Sequence, residues 1–241
     1  MIKKNLKVLI ITSIIILLPM LVGLILWNQL PDEIPFHWNA AGEIDGWASK
    51  TVAVFVPSAM MLALQWLCVI VTSTDPKKQN HPQKVVHLVL WLIPLLTVVL
   101  STFVYATALG GNVRVEVLMP ILLGVVFIAI GNYLPKCKQN YTIGIKISWT
   151  LASEENWNKT HRLAGWVWVG GGIVMMLSGF FGILWLTFCL SPLWFWCRWS
   201  IPIFCTKKAY RKAKASLAPH RARDASVICL AKPRNRLLLL H

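Results

Sequence analysis

The chain has 241 residues, of which 56% are hydrophobic and only 14% charged, and its formal net charge is +15. A soluble domain is about 45–50% apolar and about 25% charged, so this composition excludes an ordinary soluble domain. The apolar residues stand in blocks of roughly 20, the length that crosses a bilayer, rather than in the short alternating segments of a membrane β-barrel. The sequence therefore predicts an all-α fold, a polytopic transmembrane helical bundle with five to six spans and short loops.

Five apolar segments predict membrane spans, and a sixth is a weaker candidate. The predicted spans are 8–27, 52–73, 86–109, 116–134 and 163–183, with the sixth at 184–205. The first follows a basic start, as a signal peptide would, but it is long and no small-residue cleavage site comes after it, so we interpret it as an uncleaved span. The fifth is rich in glycine, which lets helices approach closely in lipid. Its glycines are Gly170, Gly171, Gly172, Gly179 and Gly182.

The connections between spans alternate between basic and acidic. Basic residues in short loops mark the cytoplasmic side of a membrane. Such residues fall at the N-terminus and after the second and fourth spans: Lys3, Lys4, Lys7, Lys77, Lys78, Lys84, Lys136, Lys138, Lys146, Lys159 and Arg162. Segment 28–51 instead carries Lys50 alone against four acids: Asp32, Glu33, Glu43 and Asp45. The pattern predicts a multi-pass protein with a cytoplasmic N-terminus, segment 28–51 outside and segment 135–162 inside.

The first unusual segment is EIPFHWNAAGEIDGWASK, residues 33–50. Pro35 stiffens the chain after the first span, and Gly42 and Gly46 are predicted to supply turns with positive φ. Trp38 and Trp47 suit the membrane interface, where an amphipathic ring sits half in water. His37 with Glu33 and Asp45 raises the alternative of a metal site. The spacing matches no zinc pattern, so we interpret His37 as a hydrogen-bonded loop residue and predict no metal.

The second unusual segment is GNYLPKCKQNYTIGIKISWTLASEENWNKTHRLAGW, residues 131–166. Gly131 and Pro135 are predicted to end the fourth helix, with Asn132 beside them. The stretch 139–150 is rich in β-branched residues, which predicts extended chain around a turn at Gly144. Ser153 is predicted to cap a helix that runs on into the fifth span.

Two tryptophans and a candidate catalytic pair also lie in this second segment. Trp149 and Trp157 are predicted to anchor the chain at the interface. Glu154 and His161 share a helix face, which raises catalysis as an alternative, but no H-E-x-x-H or nucleophile-elbow motif accompanies them. The six cysteines form no C-x-x-C pair, which gives little support to a disulfide or zinc site. The sequence therefore predicts no enzyme.

Together, the two segments resemble the SdpI family of bacterial membrane proteins. The first is similar to a domain of unknown function that commonly precedes the SdpI region, and the second is similar to the SdpI signature. The resemblance covers about residues 1–190. It divides the chain into an N-terminal transmembrane hairpin, 1–75, with external loop 28–51, and an SdpI-like core, 76–190, with cytoplasmic loop 135–162. Residues 191–241 form a divergent basic tail.

The resemblance implies a binding protein. The member that gives the family its name is an immunity protein that protects a producing cell from its own secreted peptide toxin, and it also sequesters a helix-turn-helix autorepressor at the membrane. By resemblance we expect a protein of the bacterial cell membrane, in contact with lipid, that meets an SdpC-type toxin and a repressor. The charge pattern assigns the toxin to segment 28–51 and the repressor to segment 135–162. No cofactor, catalysis or direct nucleic-acid binding is expected. Two alternatives stay open: a passive transporter or channel, and a structural membrane protein of envelope stress.

The positions that match the family pattern are the candidate partner-binding residues. In the first segment they are Pro35, His37, Trp38, Gly42, Asp45, Gly46 and Trp47. In the second they are Gly131, Asn132, Pro135, Asn140, Gly144, Trp149, Thr150, Trp157, Thr160, His161 and Gly165.

The tail departs from the family pattern after about residue 190. A central Arg such as Arg198 costs about 2.5–3.5 kcal/mol on insertion scales, so 184–205 is a poor span. Residues 198–241 carry 11 Lys and Arg and one Asp, a net charge of +10. The codons that encode LWFWC would encode apolar residues if each triplet started one base earlier. The same shifted reading frame also permits a basic end after these apolar residues. We hypothesise a frameshifted end from about residue 190; the alternative is a genuine divergent terminus. Stop codons in the shifted frame of the gene would contradict the hypothesis.

Overall fold

The computed structural model describes residues 2–39 and 41–182. These residues contain five long α-helices, one short α-helix and a two-stranded hairpin. The helices are α1 (Ile2–Ile25), α2 (Lys50–Ser73), α3 (Gln83–Ala108), α4 (Val115–Tyr133), α5 (Ser148–Ala152) and α6 (Glu154–Phe181), and the strands are β1 (Glu33–Trp38) and β2 (Ile44–Ser49). The candidate sixth span at 184–205 and the tail at 191–241 lie outside the described residues.

The five long helices coincide with the five predicted spans. Each is long and apolar enough to cross a membrane. Outward-facing positions of α1 carry large apolar side chains such as Ile10 and Leu21, whereas Thr12 is buried, as expected where lipid rather than water surrounds a bundle. Helix α6 begins at Glu154, well before the span edge at residue 163, because the Ser153 hydroxyl caps it by accepting a hydrogen bond from the Asn156 N–H (3.3 Å), as predicted.

Helices α1, α2 and α3 pack together with the hairpin as one group. Two apolar clusters hold it: Leu9, Val69, Val86 and Leu90 toward one end, and Leu30, Ile34, Ala53, Val54 and Tyr105 toward the other. Two buried polar side chains inside the group donate hydrogen bonds. The Gln65 amide donates to the Thr12 hydroxyl (2.8 Å), and the Tyr105 hydroxyl donates to the Pro19 carbonyl (3.1 Å). Such pairing is what a polar group far from water requires.

Helices α4 and α6 form the second group through a seam of glycines. A Cβ added to Gly172 would lie 2.7 Å from the Gly124 carbonyl, and one added to Gly165 would lie 2.8 Å from the Gly131 carbonyl. Gly124 and Gly131 lie seven residues apart on α4, and Gly165 and Gly172 lie seven residues apart on α6, so the glycines recur on one face of each helix every two turns. The sequence suggested that Gly131 ends α4, but Gly131 lies inside the helix and lets α6 approach. Gly172 and Gly179 pack as expected of the fifth span, whereas Gly170 faces open space.

The hairpin is the main feature that the sequence did not predict. Segment 28–51 was expected to be a loop with turns at Gly42 and Gly46, but β1 and β2 pair antiparallel across it. Gly42 has the positive φ, +84°, as predicted. Gly46 instead lies within β2 opposite His37, where an added Cβ would come 2.8 Å from the His37 Cβ. Its small size, not a positive φ, is what this position needs.

The bundle has two ends, which we name by their contents. The hairpin end holds β1 and β2, the C-terminal end of α3 and the start of α4, because Trp38 contacts Phe103 and Gly42 lies against Glu116. The loop end holds the α2–α3 loop (residues 74–82) and the α4–α6 loop (residues 134–153), which hydrogen-bond to each other. Both groups of helices therefore meet at both ends.

Candidate functional site

The hairpin is attached to the helices on its inner side and open on its outer side. Ile34 is buried in a cluster with Val54 and Tyr105, and the Trp38 ring packs against Phe103 with centroids 4.7 Å apart. Trp47, on the second strand, stays 58% exposed. The outer face of the hairpin thus offers an aromatic surface that nothing in the described part of the chain covers.

The turn and the polar pair of the hairpin are exposed. The Asn39 side-chain oxygen, Oδ1, accepts from the N–H groups of Ala41 and Glu43 (2.9 and 3.0 Å), which shapes the turn. His37 Nδ1 lies 2.6 Å from Asp45 Oδ1, so His37 is hydrogen-bonded as interpreted, although it lies in strand β1 rather than in a loop. In residues 2–39 and 41–182, no three His, Cys, Asp or Glu side chains gather as a metal site would require.

The side-chain amide of Asn140 makes four hydrogen bonds to the backbone of the α4–α6 loop. The Asn140 oxygen accepts from the N–H groups of Thr142 and Ile143 (2.9 and 2.6 Å), while its NH₂ donates to the carbonyls of Lys138 and Ile143 (2.8 and 2.9 Å). The extended chain expected over 139–150 is therefore wrong in part: the chain bends at residues 141–144 and enters α5 at Ser148, whereas Ile147 is extended. Local bonds from an Asn side chain to the backbone outweigh the β-preference of the branched residues around it.

The loop closes over a buried histidine. Gly144, at φ +119°, is so close to His161 that an added Cβ would collide with the ring, and the His161 ring stacks on Trp157 with centroids 4.0 Å apart. His161 Nε2 accepts from the Ile145 N–H (2.9 Å), and Nδ1 donates to the Trp157 carbonyl (2.8 Å). Both ring nitrogens are engaged, so the imidazole is neutral and neither nitrogen is left for Glu154 or for catalysis.

Trp157 and its neighbours form the core beneath the loop. Trp157 is not the interface anchor that the sequence suggested: it is fully buried, and its indole N–H donates to the Cys137 carbonyl (2.7 Å). Burial raises the pKa of the Cys137 thiol to about 11, so the thiol stays protonated. The Thr150 hydroxyl donates to the Ile145 carbonyl (2.8 Å) and accepts from the Ile147 N–H (3.1 Å), which fixes the entry to α5.

The candidate partner-binding residues fall into three sets by exposure. The exposed ones are His37, Asp45, Trp47, Asn132 and Pro135. The half-buried ones are Trp38, Gly42, Gly46, Gly144 and Trp149. The buried ones are Pro35, Gly131, Asn140, Thr150, Trp157, Thr160, His161 and Gly165. Only exposed or half-buried side chains can touch a partner directly. Most candidates of the second segment are buried, so they hold the structure in place and do not contact a partner.

Sequence reasoning missed the residue that joins the two loops, Asp75. Its side chain is buried, and its carboxylate accepts from the Lys77 N–H (2.7 Å), the Tyr141 N–H (2.9 Å) and the Thr142 hydroxyl (2.9 Å), with His81 Nε2 at 3.2 Å. Burial alone would raise the pKa of Asp75, but these hydrogen bonds and the His81 ring lower it below its ordinary value. The available signal was a lone acid in the basic stretch DPKKQNHPQK.

The fold and both ends define a multi-pass helical membrane protein with a folded polar segment at each end of its bundle. Two family models match: a domain of unknown function, DUF1648, over residues 14–62, and the SdpI/YfhL protein family over residues 136–200. The second match runs past residue 190, where the sequence resemblance was expected to end. Immunity protein SdpI of Bacillus subtilis (strain 168) is 30% identical over 179 residues, 74% of this chain and 83% of that protein. No solved structure matches significantly. The chain belongs to the SdpI/YfhL family.

Proposed function

We propose that the protein is an immunity protein of the bacterial cell membrane that protects its cell from a secreted SdpC-type peptide toxin. The observation that carries the proposal is its similarity to Immunity protein SdpI over 83% of that protein. The segments that match the two family models, 14–62 and 136–200, take in the hairpin and most of the α4–α6 loop. Recognition of a toxin outside the cell needs an ordered surface there. The hairpin supplies one, since its inner side is fixed by Phe103 and its outer side exposes Trp47.

Charge supports an orientation with the N-terminus and the loop end in the cytoplasm. The basic residues of the loop end are Lys4, Lys7, Lys77, Lys78, Lys84, Lys136, Lys138, Lys146, Lys159 and Arg162. The hairpin end has Lys50 and Arg114 against five acids: Asp32, Glu33, Glu43, Asp45 and Glu116. Basic residues stay on the cytoplasmic side of inner-membrane proteins, which leaves the acidic hairpin outside.

The loop end is the proposed contact for a cytoplasmic helix-turn-helix repressor. It is folded rather than a bare connector, and Tyr141 stands exposed on it with Lys77 5.4 Å from the ring centre. In this proposal the protein has no catalytic step; it binds toxin on one face and holds a repressor on the other.

Survival under toxin challenge tests the proposal. A sensitive bacterium expresses the full chain, or the chain with the shifted-frame ending restored, and each is challenged with the SdpC-type toxin. We expect protection by the full chain. Protection by the restored chain alone would support the frameshift hypothesis and mark this chain as a broken immunity protein. No protection by either, with both found in the membrane, would contradict an immunity function.

A further inference from the structure

Helix α3 contacts both candidate sites, one at each of its ends. Near its C-terminal end, Phe103 packs against Trp38 of the hairpin. At its start, Val85 is buried in one cluster with Cys137 and Trp157 beneath the α4–α6 loop. At 1.5 Å per residue, its 26 residues span about 39 Å. One continuous helix, which contains Pro94, therefore joins the hairpin to the loop end.

The loop just before α3 strengthens this connection. Asp75 holds Tyr141 and Thr142 of the α4–α6 loop through its carboxylate. Gln139 adds a second attachment: its side-chain oxygen accepts from Lys77 Nζ (2.6 Å), and its backbone carbonyl accepts from the Asn80 amide (2.8 Å).

The attachment continues into α5. The Gln139 NH₂ donates to the carbonyls of Thr150 and Leu151, both at 2.9 Å. The two loops are thus hydrogen-bonded to each other through Asp75 and Gln139. We name the contacts of these two residues the latch.

The latch has the features of a contact that can open. It rests on a buried carboxylate, which is stable inside the protein only while its donors surround it. Opening would return the buried side chains of Asp75 and His81 to water, which offsets part of the cost of breaking these bonds.

We infer that α3 and the latch couple the hairpin to the α4–α6 loop, so that a change at the Trp38–Phe103 contact changes how often the loop opens. As a route for signalling, this inference rests on the proposed function. The coupling itself needs neither toxin nor repressor. Hydrogen exchange can therefore contradict the coupling while the survival assay supports immunity, and the survival assay can fail while hydrogen exchange shows the coupling. Energetic coupling is reciprocal, so breaking the latch must also loosen the hairpin.

Hydrogen exchange of the full chain in lipid nanodiscs tests the coupling from the loop end. Asp75→Asn removes the charge that holds the latch, and Asp32→Asn, at an exposed ion pair with Lys50 of the hairpin end, is the matched control. We expect Asp75→Asn to speed exchange over 138–147 by about tenfold and to speed exchange of β1 as well, since exchange reports local opening. Asp32→Asn leaves 138–147 unchanged. Faster exchange over 138–147 with β1 unchanged would overturn the inference.

The same measurement runs in the other direction from the hairpin. Trp38→Ala removes the ring against Phe103, and Trp47→Ala removes the exposed ring of the paired strand. We expect the first to speed exchange over 138–147 severalfold and the second to leave it unchanged. An effect of Trp38→Ala confined to the hairpin and the adjacent end of α3 would overturn the coupling. If Trp38→Ala speeds exchange in every helix, it has destabilised the whole protein. Trp38→Phe, which keeps an aromatic ring, then takes its place, and an effect confined to the hairpin and the adjacent end of α3 would again overturn the coupling.

Discussion

The hairpin and the α4–α6 loop are both polar segments on one bundle, yet they are held in different ways. The hairpin keeps its polar pair, His37 and Asp45, at the surface, and it is fixed by apolar contacts of its inner side. The loop buries polar side chains such as Asn140 and Thr150 and hydrogen-bonds them to the backbone. Exposed pairs contribute little to stability, whereas buried polar groups are costly to leave unpaired. The loop should therefore be sensitive to single substitutions and the hairpin tolerant of them.

The largest expected effect is that of Trp157→Ala, measured against Trp47→Ala. Trp157 is fully buried, stacks on His161 and donates to the Cys137 carbonyl, so its loss should lower the free energy of unfolding by about 3–5 kcal/mol. Trp47→Ala should change it by less than about 1 kcal/mol, because the ring is exposed. Thermal unfolding of both variants in detergent measures the difference. Equal losses would break the contrast between the two ends.

A slightly smaller effect is expected at the glycine seam on which the loop stands. Gly172→Val places a branched side chain against the Gly124 carbonyl and should cost about 3 kcal/mol. Gly170→Val on the same helix points into open space and should cost well under 1 kcal/mol, as a surface change does. The yield of monodisperse protein and its melting temperature report both. Similar behaviour of the two variants would argue against the α4–α6 packing described above.

Acid should weaken the loop end through Asp75. Its pKa is lowered in the folded protein, so its contribution to stability is complete above the unfolded pKa of about 3.9 and is lost as the pH falls through the folded pKa. We expect Asp75→Asn to cost about 2 kcal/mol at pH 7, with the gap to wild type narrowing below pH 4. Melting temperatures of the two proteins from pH 7 to pH 3 show this. A gap that widens on acidification would contradict the assignment.

The smallest effect is expected at the exposed pair of the hairpin. Asp45→Asn removes the charge opposite His37 and should change the free energy of unfolding by no more than about 1 kcal/mol. Melting temperatures with and without 0.5 M salt check this, since an exposed pair is screened. A larger cost that persists in salt would show that the hairpin, too, depends on its polar contacts.

The sequence predicts the parts of this fold that depend on local composition. Apolar blocks locate the five helices, and Ser153 caps α6 where its hydroxyl and the acids after it predict a start. The predictions fail where distant residues meet. The role of Gly131 depends on Gly165, that of Gly46 depends on His37, and the burial of Trp157 depends on Gly144 closing over it. Asp75 was missed for the same reason, because its partners lie 66 and 67 residues further along the chain.

The most direct test of the account compares survival of cells that express wild type, Trp47→Ala or Tyr141→Ala under the SdpC-type toxin. The account predicts that wild type and Tyr141→Ala protect, because Tyr141 lies at the loop end, and that Trp47→Ala, folded and in the membrane, protects less. Equal protection by all three would contradict toxin recognition by the hairpin. Absence of protection by wild type, with the chain in the membrane, would contradict the immunity function itself.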